Sequence, residues 1–333
     1  MINRFLLPSQ DIKEIISKSQ TSLDSLSKSE ILIAGGTGFV GRWLVTTLIE
    51  ASKIYNIKIH LLVRNREKAS EFFSNVNNAN LQFLPVDREV QLKSLTHIIH
   101  AATPSTPSTG GSDSIYTFDV ATQMAERLIE IAGDNKTPTF VHLSSGAVYG
   151  EKPLREREII ENEEIEGSPQ NLYATAKIEI ERQVLIAHNA GLISGANPRL
   201  FAFTGPGIAL DAHFAIGNFM RDAMNGNPIF ISGNPDTMRT YLHPVDMTHW
   251  LLAALANPSL ETTHIGSEIG YTIEEIARIV ASEFGVKADV RGDSGIPPNF
   301  YLPSTTQTKK RLNVGETIAL PEAVSRWRRW LES

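Results

Sequence analysis

Residues 31–41 read Ile-Leu-Ile-Ala-Gly-Gly-Thr-Gly-Phe-Val-Gly, an apolar run followed by closely spaced glycines. Gly35, Gly38 and Gly41 follow the spacing G-x-x-G-x-x-G, and Gly36 with the last two also satisfies G-x-G-x-x-G. At a turn from strand to helix, such glycines permit the tight bend, the approach of a pyrophosphate to the backbone, and the packing of helix on strand. The N–H groups that open the helix attract the same anion. The stretch therefore predicts a dinucleotide-binding turn.

From this stretch to about residue 200, short β-branched runs alternate with helical periods. The predicted strands are residues 31–34, 57–63, 81–86, 97–102 and 140–144. A predicted helix follows the first strand through residue 48, and others cover 67–73, 115–132 and 173–190. Strands that alternate with helices form parallel βαβ units with right-handed crossovers. The pattern predicts an α/β fold with a doubly wound parallel sheet.

Beyond residue 200 the alternation weakens, and proline and glycine recur among short elements. Two further amphipathic helices are predicted at 274–284 and 321–331. We therefore expect a dinucleotide-binding domain of residues 31–200 plus about 240–267. A smaller substrate lobe is expected from residues 201–239 plus 268–333.

The segment before the first strand, residues 1–30, is interpreted as a helical extension. Its apolar residues are spaced for one helical face, at Ile12, Ile15, Ile16, Leu23 and Leu26. A disordered leader is the alternative. Because the segment carries acids and serines and has no apolar central region, it is not interpreted as a secretory signal.

Composition excludes several classes of function. The 333 residues carry a net charge of −6, which gives no electrostatic footprint for nucleic acid. The chain has no cysteine, which excludes disulfides and thiolate chemistry and fits a reducing, cytoplasmic location. No apolar run is long enough to span a membrane. The nine histidines show no paired ligand spacing, so no metal site is expected.

The residues after the second and third strands bear on the choice of cofactor. An acid at the end of the second strand would bind the ribose 2′-hydroxyl of NAD. Here the strand ends in Arg64, placed to meet a 2′-phosphate, with Arg66 or Arg42 assisting. We therefore expect NADP, with NAD as the alternative and a solvated surface arginine as the purely structural interpretation. Asp87, just past the third strand, is a candidate partner for the adenine amino group.

A candidate catalytic group follows the fifth strand. Tyr173 and Lys177 stand at i and i+4 near the start of a predicted helix, and Ser144 and Ser145 end the strand before it. A tyrosine has a pKa of about 10, too high for a base at neutral pH, and a nearby ammonium lowers it. Tyr173 is thus the expected acid or base, Lys177 its activator, and Ser145 the donor to the substrate oxygen.

With these residues in place, the chain resembles the extended short-chain dehydrogenase/reductases, in particular the NAD(P)-dependent nucleotide-sugar epimerase/dehydratase family, with its Rossmann-type fold. The resemblance runs from Ile31 to the C-terminus. It rests on the glycine loop, the tyrosine–lysine pair and four further stretches: His100-Ala-Ala102, Ser144-Ser-Gly-Ala-Val-Tyr-Gly150, Arg199-Leu-Phe-Ala-Phe-Thr-Gly-Pro206 and Arg239-Thr-Tyr-Leu-His-Pro-Val-Asp246.

The resemblance implies site residues and a substrate class. It implies that Tyr173, Lys177 and Ser145 are catalytic and that Arg239 binds the diphosphate of a nucleotide sugar. The implied cofactor contacts are Gly35, Thr37, Gly38, Phe39, Val40, Gly41, Arg64, Asp87, Ala101, Ala102, Tyr173 and Lys177. Ser105, His213 and Asn218 are further candidates for the sugar pocket, beside Ser145. Family members commonly form homodimers, which we expect here too.

One departure from the family pattern narrows the reaction. The 4,6-dehydratases carry Asp-Glu directly after the serine or threonine of strand five, and decarboxylating members keep the glutamate. Gly146 and Ala147 stand at these positions and cannot transfer protons. This argues against both reactions and leaves a 4-epimerase or a 4-ketoreductase. A non-catalytic NADP-binding sensor or scaffold is the alternative, against which the presence of both Tyr173 and Lys177 speaks.

Overall fold

The structure is a computed structural model. It describes residues 6–73, 80–103, 112–150, 152–153, 158–165, 171–210, 214–231, 233–290, 295 and 297–333. Within these ranges the helices are α1 (Ser9–Lys18), α2 (Gln20–Ser25), α3 (Phe39–Tyr55), α4 (Arg66–Phe72), α5 (Ser112–Gly133), α6 (Leu172–Asn189), α7 (Ala215–Met224), α8 (Pro244–Ala256), α9 (Ile273–Phe284), α10 (Thr306–Leu312) and α11 (Leu320–Glu332).

The strands of the same ranges are mostly short. They are β1 (Glu30–Ala34), β2 (Lys58–Val63), β3 (Leu81–Pro85), β4 (His97–His100), β5 (Thr139–His142), β6 (Ser144–Ser145), β7 (Lys152–Pro153), β8 (Ser194–Ala196), β9 (Pro198–Leu200), β10 (Ile229–Ile231), β11 (Met238–Arg239), β12 (Thr263–Ile265), β13 (Tyr271–Thr272), β14 (Ala288–Val290) and β15 (Asn299–Tyr301).

The central sheet has six strands in the order β3-β2-β1-β4-β5-β8, and every neighbouring pair is parallel. The order reverses at β1, so the carboxyl ends of β1 and β4 flank the crevice where such sheets bind ligands. The register pairs Ile33 with Leu61 on one side and with Ile99 on the other. The predicted doubly wound sheet is confirmed.

Strand β1 shows why both faces of the sheet are covered. Ile31 and Ile33 pack into one apolar cluster, with α1, α3 and α8, whereas Leu32 and Ala34 pack into another, with α5 and α6. Side chains alternate between the two faces of a strand, so an unbroken apolar run must be buried on both sides. The helices on the two faces supply that burial.

Strand five differs from its prediction as a single strand over 140–144. The structure has β5 in the central sheet, and after Leu143 the chain continues as β6, which pairs in parallel with β9 in a separate three-stranded sheet. The change of sheet carries Ser144 and Ser145 away from the central sheet. A short 3₁₀ turn then covers Gly146–Tyr149.

The second half of the chain builds a third apolar cluster from α7, α9 and α11, with Met220, Ile276 and Trp327 at its centre. Helix α9 begins at a capping box of Thr272 and Glu275 and ends at Gly285 in the left-handed region. Such signals at both ends of a helix are local, which is why the sequence predicts its limits closely.

The N-terminal segment forms α1 and α2, which pack on α8 and α3 through Ile12, Ile15 and Leu23. Lys18 pairs with the fully buried Asp246 at 2.9 Å, and Arg326 of α11 pairs with Asp11 at 3.0 Å. Helix α1 therefore ties α8 to α11.

Candidate active site

The glycine turn follows β1 at the carboxyl edge of the sheet. Gly35 has φ +89°, and a Cβ there would lie 2.4 Å from the carbonyl carbon of Ala101. A Cβ at Gly41 would lie 2.2 Å from the carbonyl oxygen of Gly35. At Gly36 a Cβ would meet only side-chain atoms, the nearest at 3.1 Å. Glycine is therefore obligatory at positions 35 and 41, which favours the spacing G-x-x-G-x-x-G.

Gly38 is the N-cap of helix α3, and no side chain caps this N-terminus. The amides of Phe39, Val40 and Gly41 thus precede the first intrahelical bond, which Arg42 donates to Gly38. These amides and the positive end of the helix dipole fit a pyrophosphate. The backbone thus presents free amides at the turn where the sequence predicts dinucleotide binding.

The other predicted cofactor residues lie at the same edge of the sheet. Thr37 is exposed in the turn, and Ala101 and Ala102 follow β4 beside Gly35. Arg64 directly follows β2, and Asp87 follows β3; both are exposed.

Arg42 is 9% exposed in the first turns of α3. Its guanidinium carbon lies 5.2 Å from the centroid of the Phe72 ring. Its Nε and Nη2 have no hydrogen-bond partner within the described ranges. The guanidinium lies against Gly207, where an added Cβ would be 2.7 Å from Nη2.

The catalytic candidates Tyr173, Lys177 and Ser145 lie together. Asn171 caps α6 by accepting a hydrogen bond from Ala174 N at 3.1 Å, which places Tyr173 in the first turn. Ser145, at the end of β6, lies close enough to the Tyr173 hydroxyl to lower its pKa. The Lys177 ammonium lies 5.6 Å from the centroid of the Tyr173 ring.

Lys177 is held by two further groups. Its Nζ donates to Thr103 Oγ1 at 2.9 Å and to the carbonyl oxygen of Leu143. Burial lowers the pKa of Lys177 to about 7, while the carboxylate of Glu181 acts in the opposite direction. Burial raises the pKa of Tyr173, and the nearby Ser145 opposes that rise. The dinucleotide-free site therefore favours a neutral phenol.

Two imidazoles lie close to Lys177. His100 and His142 join through their Nδ1 atoms at 3.0 Å, and both rings are fully buried. Burial, followed by the nearby Lys177 charge, lowers the pKa of His100 to about 3 and also lowers the pKa of His142. Both stay neutral at physiological pH, so the pair adds no second cation beside the lysine.

A buried ion pair supports the catalytic helix, and the sequence analysis missed it. Arg199 of β9 donates to both carboxylate oxygens of Glu181, from Nε at 3.0 Å and from Nη2 at 2.8 Å. Arg199 also donates to the Tyr149 hydroxyl at 2.7 Å, and Ser144 Oγ donates to Glu181 at 2.5 Å. Ser144 thus fixes the strand to α6, which leaves Ser145 beside Tyr173. The only available sequence signal was the position of Glu181 one turn after Lys177.

The structure brings Tyr301 to the same site, which the sequence analysis also missed. The Tyr301 ring centroid lies 4.9 Å from that of Phe201, and its hydroxyl lies 2.7 Å from the point where a Cβ at Gly146 would stand. Arg239, a predicted substrate residue, pairs with Tyr301 in the register of β11 and β15. The positive charge of Arg239 lowers the pKa of Tyr301, although burial has the larger, opposite effect.

Of the remaining substrate candidates, only Asn218 lies within the described residues, and it is not among the side chains that contact this group. Asn218 lies on α7, where its Oδ1 accepts a hydrogen bond from Arg221 at 3.1 Å. Ser105 and His213 lie outside the described residues. In the described part of the chain, no group of three or more histidine and acidic side chains is arranged to hold a metal ion. No helix of that part is long and apolar enough to cross a membrane.

The glycine turn, the parallel sheet and the tyrosine–lysine helix define a dinucleotide-binding enzyme of the short-chain dehydrogenase/reductase type. The chain belongs to the NAD dependent epimerase/dehydratase family, whose sequence model matches residues 31–266. This family comprises nucleotide-sugar enzymes of the extended short-chain dehydrogenase/reductase type.

Comparison with individual proteins agrees with this membership. UDP-glucuronic acid decarboxylase 1 of Arabidopsis thaliana is 22% identical over 300 residues, which cover 89% of this chain and 68% of the plant protein. The UDP-glucuronic acid 4-epimerase of Bacillus cereus, solved with UDP-glucuronic acid and NAD, superposes with a TM-score of 0.76 at 19% identity, covering 91% and 99% of the two chains.

A third comparison is with the UDP-N-acetylglucosamine 4-epimerase of Methanobrevibacter ruminantium M1, solved in complex with UDP-N-acetylmuramic acid. It superposes with a TM-score of 0.79 at 17% identity, and the match covers 92% of this chain and 99% of that chain. At these identities the superpositions establish the fold, and the family match establishes the class of enzyme.

Proposed function

We propose that the protein exchanges a hydride at C4 of a nucleotide-linked hexose, as a 4-epimerase or a 4-ketoreductase. The observation that carries this proposal is the contact of Tyr173 with Ser145 and Lys177, beside a glycine turn that fits a dinucleotide. When bound, the nicotinamide supplies the hydride acceptor or donor. Tyr173 takes or returns the proton of the C4 hydroxyl, and Ser145 donates a hydrogen bond to the same oxygen.

Lys177 makes the phenolate of Tyr173 accessible near neutral pH. Its ammonium stabilises the negative oxygen, and Thr103 and Leu143 fix it in place. Arg239 is proposed to bind the diphosphate of the substrate, because a guanidinium suits two phosphate oxygens at once.

The packing around Gly146 supports the exclusion of dehydration, which needs an aspartate at this position. A Cβ at this position would lie 2.7 Å from Phe201 Cε1 and 2.7 Å from the Tyr301 hydroxyl. No acidic side chain fits there without moving both aromatic rings. Decarboxylation is excluded by Ala147, which stands where the family resemblance implies a glutamate.

We further propose that NADP is the cofactor, with NAD as the alternative. Arg64 directly follows β2, at the position where an NAD enzyme would carry an acid. The guanidinium of Arg42 lies against Phe72 at the end of α4, and two of its nitrogens have no hydrogen-bond partner within the described ranges. Both suit a 2′-phosphate. NAD is the alternative because the Bacillus cereus epimerase was solved with NAD bound. Replacing Arg64 with Ala is expected to weaken NADP binding and to leave NAD binding within about twofold.

We also propose that the protein forms a homodimer and is located in the cytoplasm. Helices α5 and α6 pack side by side and expose Ile115, Tyr116, Leu185 and Ile186, which a second copy would cover in a homodimer. We also propose the division predicted from the sequence, with a dinucleotide-binding domain of residues 31–200 plus about 240–267 and a substrate lobe of residues 201–239 plus 268–333. A cytoplasmic location is consistent with the absence of cysteine.

The proposal is tested on the purified protein with UDP-, dTDP-, GDP- and CDP-linked hexoses, each with NAD and with NADPH. Conversion of at least one sugar at C4, lost in Tyr173→Phe, is expected. Stoichiometric NAD that stays bound through purification favours the epimerase. Empty protein that binds NADPH and consumes it favours the ketoreductase, the reaction that Arg64 favours. Unchanged turnover in Tyr173→Phe would contradict the proposed chemistry.

A further inference from the structure

The ammonium of Lys177 lies where the carboxyl ends of two neighbouring strands meet. Strands β4 and β5 pair in parallel, with His100 opposite His142 in the register. Thr103 follows shortly after β4, and Leu143 directly follows β5. Lys177, on α6, donates to a group of each segment, so its side chain joins the catalytic helix to both strand ends.

The acceptors of this ammonium differ in kind. An ammonium carries three protons and no lone pair, so it can only donate. The Lys177 Nζ donates to Thr103 Oγ1 at 2.9 Å and to the carbonyl oxygen of Leu143. The carbonyl belongs to the backbone and is present whatever residue stands at position 143. Within the described ranges, the hydroxyl of Thr103 is therefore the side-chain acceptor, and it is the contact that a substitution can remove.

Other titratable groups surround Lys177 without binding it. Glu181, one turn later on α6, accepts hydrogen bonds from Arg199 at both carboxylate oxygens. His100 and His142 are fully buried and are hydrogen-bonded to each other through their Nδ1 atoms at 3.0 Å. In the part of the chain that the structure describes, none of these groups is hydrogen-bonded to the lysine, which is only 4% exposed. The two direct contacts therefore determine whether the site holds a charged lysine.

We infer that Thr103 is a positioning residue, whose hydroxyl keeps Lys177 protonated and in place beside Tyr173. Without this hydroxyl, a buried N–H of the ammonium has no acceptor, and the lysine avoids that cost by losing a proton. A neutral amine no longer stabilises a negative oxygen on Tyr173. The inference deepens the proposed function, because it rests on Tyr173 as the acid or base of that reaction.

The variants that test this role differ in the hydroxyl alone. Thr103→Val keeps the branched shape of threonine and fills the space that a replacing water would need, whereas Thr103→Ser keeps the acceptor. Thr248→Val is the matched control. Thr248 is fully buried on α8, and its Oγ1 has no hydrogen-bond partner within the described ranges.

The first test follows the charge of Lys177 itself and needs no sugar substrate. Protein labelled with ¹³C at lysine Cε is titrated by NMR without dinucleotide, and the Lys177 resonance is the one missing from Lys177→Met. The pKa of Lys177 is about 7 in the native protein. Thr103→Val is expected to lower it by about one to two units, and Thr103→Ser and Thr248→Val by less than about half a unit. A Thr103→Val curve that coincides with that of wild type would overturn the inference.

The second test uses the reaction and depends on the proposed function. Oxidation of the sugar needs the phenolate of Tyr173, so the rate falls at low pH along a limb that reports the coupled titration of Tyr173 and Lys177. Thr103→Val is expected to move this limb about one pH unit higher and to lower kcat at pH 7 about 10-fold, with KM within twofold. Thr103→Ser is expected to restore both. A lower kcat with an unmoved limb would contradict control of the lysine charge.

The two tests separate the possible failures. If wild-type protein converts no nucleotide sugar, the proposed function fails, and the NMR titration still decides the role of Thr103. If Thr103→Val lowers the melting temperature and leaves the pKa of Lys177 unchanged, Thr103 is purely structural and the inference is wrong. A lowered pKa in Thr103→Val that Thr103→Ser restores supports it.

Discussion

Lys177 places an ammonium where little water reaches it, because the side chain is 4% exposed. The site stabilises this charge with Thr103, a carbonyl oxygen and the more distant Glu181, yet burial still lowers its pKa from 10.5 to about 7. A negative charge on the Tyr173 oxygen would stabilise the ammonium of Lys177. The protonated form of Lys177 is therefore disfavoured in the dinucleotide-free protein. It becomes favourable when Tyr173 loses its proton, as the proposed role requires.

Because the pKa of Lys177 is lowered in the native protein, the free energy of unfolding depends on pH. Between pH 7 and 10.5 the unfolded chain holds a proton on Lys177 that the native protein has released. The free energy of unfolding therefore rises with pH across this window, by at most about 1.4 kcal/mol per pH unit.

Lys177→Met lacks that dependence, so the difference in unfolding free energy between wild type and Lys177→Met is expected to shift in favour of wild type from pH 7 to 10. Urea denaturation without dinucleotide measures it. A difference that stays constant with pH would show that Lys177 keeps an ordinary pKa.

At the scale of elements, the turn between β1 and α3 has no room for a side chain at Gly41. Gly41→Ala is expected to displace the start of α3 and to weaken dinucleotide binding about 100-fold or more. Gly133→Ala is the matched control, because a Cβ at the end of α5 would meet no atom within 4 Å. Titration of each variant with NADP and NAD by calorimetry checks this. Wild-type affinity in Gly41→Ala would contradict the assignment of the turn.

The N-terminal helices α1 and α2 are part of the packed core rather than an appendage. Ile15 of α1 is fully buried in the cluster that also contains Trp43 and Trp250. Ile15→Ala is expected to lower the free energy of unfolding by about 3 kcal/mol. Ile54→Ala, at a residue 72% exposed, is expected to change it by less than about 0.5 kcal/mol. Equal stability of the two variants in urea denaturation would mean that α1 does not pack as described.

The elements also show what sequence reasoning can and cannot find. The glycine turn and the capping box of α9 are local signals, so their positions follow from neighbouring residues. The i,i+4 spacing likewise predicts that Tyr173 and Lys177 share a helix face. The change of sheet after Leu143 depends on pairing with β9, far along the chain, which no local pattern records.

The same limit applies to the site. Thr103, Arg199 and Tyr301 reach Lys177, Glu181 and Gly146 only because the sheets and helices bring distant segments together. Tyr301 lies in an irregular stretch of short strands without periodicity. Only the three-dimensional structure places the Tyr301 hydroxyl beside Gly146.

For the whole molecule, the exposed apolar residues of α5 and α6 support a homodimer. Ile186→Glu is expected to give a monomer, because it places a charge on the surface that the second copy would cover. Ile54→Glu, on the opposite face of the sheet, is expected to leave the dimer intact. Light scattering after size exclusion, at several protein concentrations, measures both. A wild-type monomer at every concentration would contradict the homodimer.

The proposed reaction requires that a hydride leave or reach C4 of the sugar beside Tyr173. The most direct measurement uses nucleotide-linked hexoses that carry deuterium at C4, incubated with stoichiometric protein and NAD or NADP and quenched rapidly, with mass spectrometry of the reduced nicotinamide that is trapped. Wild-type protein is expected to transfer deuterium from at least one sugar to the nicotinamide ring, and Tyr173→Phe to do so at least about 100-fold more slowly. Folded, dinucleotide-bound protein that transfers deuterium from none of these sugars would contradict the account.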